Sequence, residues 1–232
     1  MEPLAALAEI ARRAVMPVEL GRALQDAVEI AAETLGVPHA TVLELSPGGS
    51  DVRLRAGVGW EQGAIGHTVD PTTGGYIAFT LASAEPVVVD DLAAETRFVA
   101  SPVLTDLGVR ASAAVRIPGT DDRPFGVVGM HRTEPRPFSA ADVALMAGTA
   151  TILTSVIARH RRAIDINDAV LQSLIVARYG LQQDRAEALE VLDDAIAQTR
   201  ALVSEMLGEN AGAALPGDLR RRSPAAVTPP ER

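Results

Sequence analysis

The sequence contains no cysteine. Disulfide bonds, thiolate metal sites, a cysteine nucleophile and a chromophore attached through a thioether are therefore excluded for these 232 residues. Net positive charge is also lacking, because acidic residues outnumber basic ones: the formal net charge is -9 and the sequence pI is about 4.9. Such a chain has no overall electrostatic attraction for nucleic-acid phosphates or anionic lipid. We therefore predict no nucleic-acid partner and no membrane partner.

Signals for export or for a membrane span are missing as well. Residues 1–17, "MEPLAALAEIARRAVMP", have an acidic second residue, arginines after the apolar part and no cleavage-like site. No later apolar run approaches the roughly 20 residues of a membrane span. The predicted location is the cytoplasm.

Catalytic and metal-binding motifs are equally sparse. The sequence has no G-x-S-x-G turn, no Walker loop and no pair of carboxylates in a catalytic motif, so we predict that the chain is not an enzyme. None of its four histidines stands at metal-ligand spacing from another histidine or a carboxylate, and no metal site is predicted. Only His67 and His131 are expected to face a pocket.

The residues that are present favour an α+β fold. Apolar residues make up 47% of the chain, which is enough for a core. Residues 18–36 carry a helical apolar stripe that ends at Gly36 and Pro38. Alternating runs in "HATVLELSPGGSDVRLRAGVGW", "EPVVVDDL" and "SAAVRIPGTDDRPFGVVGMHR" predict about five antiparallel strands. Gly126 and Gly129 in the last run indicate a bulge or a close approach of two backbones.

Several linked motifs in this region resemble a GAF domain, the small-molecule sensing module of bacterial signalling proteins. In chain order they are "EPVVVDDL" before "ETRF", then "GVRASAAVRIP", "PFGVVGMHR" and "RPFSAADVALM". The resemblance covers residues 18–160 and implies an antiparallel sheet flanked by helices, after an N-terminal helical segment at residues 1–17. It implies an architecture without naming a ligand, because one fold supports many binding functions.

The resemblance places a small-molecule cavity between the sheet and residues 60–110. The side chains expected to line or cover it are Tyr76, Phe79, Phe98, Leu104, Met130 and His131. The cofactor is unknown, and a haem-binding gas or redox sensor is an alternative because imidazole is the usual axial ligand of haem. Asp91 and Glu95 are expected to cap the turn after a strand and to pair with Arg97.

From Ser139 onwards the pattern is helical. "SAAD" is a capping-box variant, in which Ser139 accepts from the third amide and Asp142 is favoured by the helix dipole. We predict a continuous helix from residue 139 to about 179, a turn at "YGLQQD" and a second helix, which together form a hairpin over residues 161–208. Residues 209–232 have too little large apolar surface to order, and we predict that they are disordered.

The hairpin resembles the dimerisation and phosphoacceptor domain of the LuxR-partnered class of histidine kinases. In those helices a histidine-aspartate pair precedes a hydrophobic residue and a glutamine four after the aspartate. Here "NDAVLQ" has Asn167 in the histidine's place, followed by Asp168. An amide cannot accept a phosphoryl group as an imidazole does. The resemblance therefore implies a degenerate phosphoacceptor position without kinase activity, and we expect no ATP-binding domain in the remaining sequence.

Apolar positions on both helices predict a homodimer through a coiled coil or four-helix bundle. The predicted interface residues are Ile166, Val170, Leu174, Leu181, Leu189, Leu192, Ile196, Val203 and Met206. A histidine kinase or another signalling protein is the further expected partner, besides a small-molecule ligand. The predicted function is thus a non-catalytic sensor or scaffold, in which a GAF domain is coupled by a continuous helix to a dimeric bundle.

Two other interpretations of the helical region stay open. One is an ordinary coiled coil with no relation to kinases. The other is the RNA-binding ANTAR module, because the segment "VARYGLQQDRAEALEVLDDA" loosely resembles its helix-loop-helix pattern. That module would need exposed basic and aromatic residues, whereas beyond Arg178, Tyr179 and Arg185 the segment is acidic.

Overall fold

A six-stranded antiparallel sheet forms the centre of the structure, which is a computed structural model. The structure describes residues 1–16, 18–69, 75–119 and 123–183, and the short pieces 192–194, 196–197 and 199. The strands are β1 His39–Leu45, β2 Val52–Val58, β3 Thr68–Val69, β4 Val87–Val89, β5 Ala111–Ile117 and β6 Gly126–Arg132. Their spatial order is β3-β2-β1-β6-β5-β4. The predicted antiparallel strands are confirmed, and the two-residue β3 adds one at the edge.

Within residues 1–183, the described part of the chain has five α-helices and one 3-10 turn beside the sheet. They are α1 Pro3–Ala14, α2 Leu20–Leu35, α3 Tyr76–Ala82, the 3-10 turn Leu92–Ala94, α4 Pro102–Asp106 and α5 Ala140–Gln183. The predicted end of α2 is confirmed, because Gly36 follows it with a φ of 59°. That left-handed conformation closes a helix and suits a residue without a Cβ.

The two faces of the sheet have different cores. One face packs against α1, α2 and the first part of α5, in a large apolar cluster that includes Leu24, Met130 and Leu145. The other face carries a smaller cluster around α3 and α4, which includes Tyr76 and Leu104. Since successive side chains of a strand point to opposite faces, β5 and β6 contribute to both clusters, β5 with Ala113 and Ala114 and β6 with Val128 and Val127.

The two central strands approach each other closely at Gly126. A Cβ atom at this position would lie only 1.8 Å from the carbonyl oxygen of Leu43. Strand β1, which contains Leu43, also has a bulge or irregularity, because its register against β2 shifts between Val42 and Leu43. The close backbone approach predicted for this glycine is confirmed.

Helix α5 begins at the predicted capping box. The Asp142 amide donates to the Ser139 hydroxyl (3.2 Å), and the Ser139 amide donates to the Asp142 carboxylate (3.0 Å). The predicted turn at "YGLQQD" is wrong for residues 179–183, because the helix continues through Gly180 to Gln183. A single glycine costs a helix only about 1 kcal/mol relative to alanine, so it does not end one by itself.

The chain divides into two compact units, Met1–Arg162 and Ala163–Arg232. The segment that would connect the two helices of the predicted hairpin, and the predicted disordered tail at residues 209–232, lie outside the described residues. The long helix is therefore observed, while the hairpin stays a prediction.

Part of α5 is long and apolar enough to cross a membrane, judged by length and composition alone. This stretch, Ala140–Val176, corrects the expectation that no apolar run reaches that length. Its first turns supply Leu145, Met146, Leu153 and Ile157 to the core of the first unit, where each is almost fully buried. Burial against the sheet thus accounts for the apolar character of its first part.

Candidate ligand-binding site

A cavity of about 200 Å³ lies between the sheet and helices α3 and α4. Its walls come from β1, β2, β5, β6, both helices and the segment after β2. The wall residues are Thr41, Leu43, Leu54, Trp60, Ala64, His67, Tyr76, Ile77, Thr80, Ser101, Val103, Leu104, Ala114, Val127, Gly129 and His131. None of them is aspartate, glutamate, lysine or arginine, so the space is apolar with a few neutral polar groups.

Strand β6 sets the floor of the cavity. Its alternation directs Val127, Gly129 and His131 to the cavity side and the residues between them to the opposite core. A Cβ at position 129 would lie 2.8 Å from the Thr41 hydroxyl oxygen and 3.0 Å from Nε2 of His131. Glycine therefore leaves the room that these two polar side chains occupy above the strand.

A continuous chain of polar side chains runs along this wall. Tyr76 Oη lies 3.4 Å from the carbonyl oxygen of Val87, to which it donates, and 3.0 Å from Ser112 Oγ. Ser112 Oγ lies 2.7 Å from His131 Nδ1, and His131 Nε2 lies 3.4 Å from Thr41 Oγ1. The strands place these groups because Ser112 and His131 are paired across β5 and β6.

Burial keeps the chain of polar groups uncharged. It lowers the pKa of His131 to about 3, with a smaller contribution from the charge of His39, which is paired with it across β1 and β6. Burial also raises the pKa of Tyr76 above its usual range. At neutral pH the imidazole and the phenol are therefore both neutral.

An adjoining depression marks where the cavity meets solvent. It is lined by Trp60, Glu61, Ala64, Val103, Asp106 and Leu107, three of which also line the cavity. Both carboxylates are exposed, as is His67 on the cavity wall. The Trp60 indole donates to the Ala40 carbonyl (2.8 Å), which fixes the ring between the two spaces. The entrance is thus acidic and partly aromatic.

Of the six side chains predicted to line or cover the cavity, Tyr76, Leu104 and His131 lie on its wall. Phe98 stacks on Tyr76 with ring centroids 4.7 Å apart, behind the wall, and Phe79 packs on Phe98. Phe79 remains 38% exposed. Neither phenylalanine lines the cavity.

The expectation for Met130 is corrected. Its side chain is fully buried in the large core on the opposite face of β6, because it alternates with His131 along the strand. Sequence reasoning also missed Thr41, Trp60 and Ser112. A polar residue inside the apolar run "HATVLEL" is the signal that could have indicated Thr41.

The acidic residues after β4 have structural contacts. Asp91 accepts from the Ala93 amide (3.1 Å) and pairs with Arg110 (2.9 Å), while Glu95 pairs with Arg97. The predicted turn cap and the Glu95 pair are confirmed, and the partner of Asp91 is corrected to Arg110. Among the described residues, no three His, Asp or Glu side chains cluster as a metal ion would require.

The predicted phosphoacceptor position lies on α5 in the second unit. Asn167 and Asp168 are both exposed helical residues. Of the predicted interface residues, Ile166, Val170 and Leu192 are half-buried, whereas Leu174 and Ile196 are 50% and 44% exposed in the single chain. The predictions for Leu181, Leu189, Val203 and Met206 fall on side chains outside the described part.

Comparison with known families identifies the domain that holds the cavity. The family model of the GAF domain matches residues 19–157. The chain belongs to the GAF domain family. The match includes every strand and the first turns of α5, so the cavity lies wholly within the GAF domain. GAF domains are in general small-molecule sensing modules of signalling proteins.

Solved structures, including GAF domains, have the same fold at low sequence identity. The GAF domain of a phosphoenolpyruvate-protein phosphotransferase from Acinetobacter is 20% identical, with a TM-score of 0.60, over 68% of this chain and 93% of that chain. Free methionine-R-sulfoxide reductase from Neisseria meningitidis, in complex with its substrate, is 18% identical (TM-score 0.59; 69% and 91% covered). The phycocyanobilin-bound GAF domain of a cyanobacterial phytochrome is 19% identical (TM-score 0.58; 68% and 95% covered). No curated protein matches the chain significantly.

Proposed function

We propose that this chain is a non-catalytic signalling protein whose GAF cavity binds a small molecule. The observation that carries the proposal is the neutral polar chain from Tyr76 to Thr41, which ends at the wall of an otherwise apolar cavity. Ligand sites have this composition, with mostly apolar walls and a few placed polar groups.

The lining of the cavity supports a ligand. The space of about 200 Å³ has mostly apolar walls, and displacing water from apolar surface favours binding. A protein that retains such a cavity gains stability when a ligand fills it, which is the condition for sensing by binding.

The start of α5 supplies a route from the cavity to the helical region. Arg132, next to His131, donates to the carbonyls of Pro137 (2.8 Å) and Arg136 (3.2 Å) and to the Asp142 carboxylate (3.1 Å). A ligand that shifts the end of β6 would therefore also shift the first turn of α5. It alters the signal only if it binds the two arrangements with different affinity.

The output in this proposal is a homodimer formed by the helices of the second unit. Ile164, Leu171, Ile175 and Val176 each expose about half of their side chain in the single chain. Apolar side chains exposed in this number on one helix favour a partner helix. On the resemblance to histidine kinases, Asn167 and Asp168 mark a degenerate phosphoacceptor position, and a true kinase is the further partner through mixed dimers.

The alternatives have less support. A cavity of about 200 Å³ is smaller than the roughly 300–1,000 Å³ of sites for drug-sized ligands, and haem is larger than most of these. An RNA-binding output would need basic and aromatic side chains on the exposed helix face. Of these, the described residues of α5 beyond Arg162 offer Arg178 and Tyr179 beside exposed apolar residues.

Native mass spectrometry of freshly purified protein tests the proposal. We expect a dimer mass and a bound small molecule that is lost in a variant whose cavity is filled, Ala114→Leu. The matched control is Ala147→Leu, a half-buried site on α5 away from the cavity. Protein that carries no small molecule and gains no thermal stability from any compound of a neutral fragment library would contradict the sensor function.

A further inference from the structure

The contact of Tyr76 with the Val87 carbonyl favours one direction of the hydrogen atoms along the buried polar chain. The Val87 carbonyl only accepts, so the hydrogen in its contact with Tyr76 belongs to the phenol. The phenol oxygen then accepts from Ser112, whose oxygen in turn accepts from Nδ1–H of His131. This arrangement places a hydrogen in every contact. The reverse direction would leave the Tyr76 and Val87 oxygens facing each other without one.

The consequence is an acceptor nitrogen at the cavity. A neutral imidazole with its hydrogen on Nδ1 has a lone pair on Nε2. Its partner is the Thr41 hydroxyl at 3.4 Å, which, like the 3.4 Å contact of Tyr76 with Val87, is longer than the roughly 2.7–3.2 Å of a good hydrogen bond. Nε2 therefore has capacity for a shorter bond from a group inside the cavity.

The described charges around the cavity disfavour ions as ligands. Among the described wall residues none is aspartate, glutamate, lysine or arginine, and Glu61 and Asp106 stand at the adjoining depression. An anion would pass these two carboxylates and then meet no cation among the described wall residues. A buried cation would likewise meet no carboxylate among them. Burying an unpaired charge is strongly unfavourable, so the space suits a neutral molecule.

The volume limits the size of the molecule. A cavity of about 150 Å³ holds benzene, so about 200 Å³ corresponds to one or two small rings. Resting on the proposed sensor function, we propose that the GAF ligand is a neutral, mainly apolar compound of one or two rings that donates one N–H or O–H hydrogen bond to Nε2 of His131.

The tautomer of His131 is tested without any ligand. Two-bond ¹⁵N–¹H correlation spectra of the imidazoles distinguish a protonated Nδ1 from a protonated Nε2. We expect Nδ1–H in the wild type at pH 7. The Ser112→Ala variant removes the acceptor for that hydrogen and should shift the population towards Nε2–H. Finding Nε2–H in the wild type would overturn the proposal while leaving the sensor function intact.

Ligand chemistry is tested with matched probes. Indole and benzofuran have nearly the same shape, but only indole has an N–H donor. Benzoate and benzylammonium represent the two charges. One hydrogen bond contributes about 0.5–1.5 kcal/mol net, so calorimetry should show indole binding about 2- to 13-fold more tightly than benzofuran, and the ions not at all. In His131→Phe, which fills a similar volume without an acceptor, the difference should disappear.

Each outcome bears on a different claim. Equal binding of indole and benzofuran to the wild type, or binding of either ion, would overturn the ligand class but not the sensor function. Binding of no probe, in a protein that also retains no small molecule, would overturn the sensor function and this inference with it. Thr41→Val, which removes the competing hydroxyl at similar volume, should raise indole affinity. A loss of affinity would show that Thr41, rather than His131, is the acceptor.

Discussion

His131 and Arg132 are consecutive in β6, yet they contact opposite sides of the sheet. His131 lies on the wall of the cavity, and Arg132 lies over the ring of Phe138 at 4.0 Å, among groups at the start of α5. Both side chains are buried, with 3% and 5% exposure. One strand end thus joins the wall of the cavity to the first turn of α5.

Replacement of Arg132 should loosen the start of α5. Arg132→Met retains much of the apolar stem but removes the guanidinium donor from the carbonyls of Arg136 and Pro137 and from Asp142, which retains only the Ser139 amide. Removing one partner of a buried ion pair costs about 3–5 kcal/mol, and we expect about 2–4 here because Asp142 is partly exposed. Urea denaturation measures the difference.

Arg136→Met is the matched control for this change, since the Arg136 side chain is exposed. It should alter the free energy of unfolding by less than about 0.5 kcal/mol. Equal stability of the two variants would contradict the anchoring role of Arg132.

Gly129 should tolerate no added methyl group. In Gly129→Ala the new Cβ meets the Thr41 hydroxyl and the His131 imidazole at 2.8–3.0 Å, so both side chains must move. Overpacking of this kind costs about 1–3 kcal/mol. Gly21→Ala is the control, because position 21 is helical with open space around it, and alanine there should stabilise by up to about 1 kcal/mol. Thermal denaturation measures both. Melting temperatures that shift in the same direction for the two variants would contradict the prediction.

Local patterns predicted much of the fold. The alternation in the three strand segments, the stop at Gly36 and the capping box at Ser139 depend on neighbouring residues, and each is confirmed. The end of α5 was missed because Gly180 is only a weak helix breaker.

The candidate site was harder to predict because it depends on pairing between strands. Residues 41, 112 and 131 meet only once β1, β5 and β6 are in register. The expectation for Met130 was wrong because the resemblance identifies the strand but not which of its alternating residues face the cavity. One added step, alternation outward from His131, would have assigned Met130 to the opposite core.

Acid should destabilise the domain through His131. Its folded-state pKa of about 3 lies below the usual value of 6.5, so the unfolded chain binds the proton more readily between these values. Stability therefore rises with pH in this window and is lost as the pH falls from 6.5 towards 3. At about 1.36 kcal/mol per pH unit, the loss between pH 7 and pH 5 is about 2 kcal/mol.

The His131→Gln variant provides the comparison, because glutamine does not titrate. Chemical denaturation at pH 7, 6 and 5 should show a smaller loss for the variant, although other groups still contribute to both proteins. If the free energy of unfolding falls by the same amount in both proteins between pH 7 and pH 5, His131 does not titrate as a buried imidazole.

The helices of the second unit should hold two chains together. Leu174 is 50% exposed in the single chain and stands in the predicted seam. Leu174→Glu should convert the dimer to a monomer, because a carboxylate would be buried at the interface. Gln172→Glu adds the same charge at an exposed polar position and should remain dimeric. Light scattering at micromolar concentration measures both, and a monomeric wild type would refute the proposal.

Asn167 tests the relation to histidine kinases. We expect that wild-type protein neither hydrolyses ATP nor labels itself with radioactive phosphate, because an amide at this exposed helical site does not accept a phosphoryl group. Asn167→His should preserve the dimer, since exposed substitutions usually change stability by less than about 0.5 kcal/mol. With a LuxR-partnered kinase added, label on this variant and not on Asp168→His would support a degenerate kinase scaffold. Label on the wild type without added kinase would contradict the non-catalytic proposal. Absence of label on both variants in the presence of the kinase would favour an ordinary coiled coil.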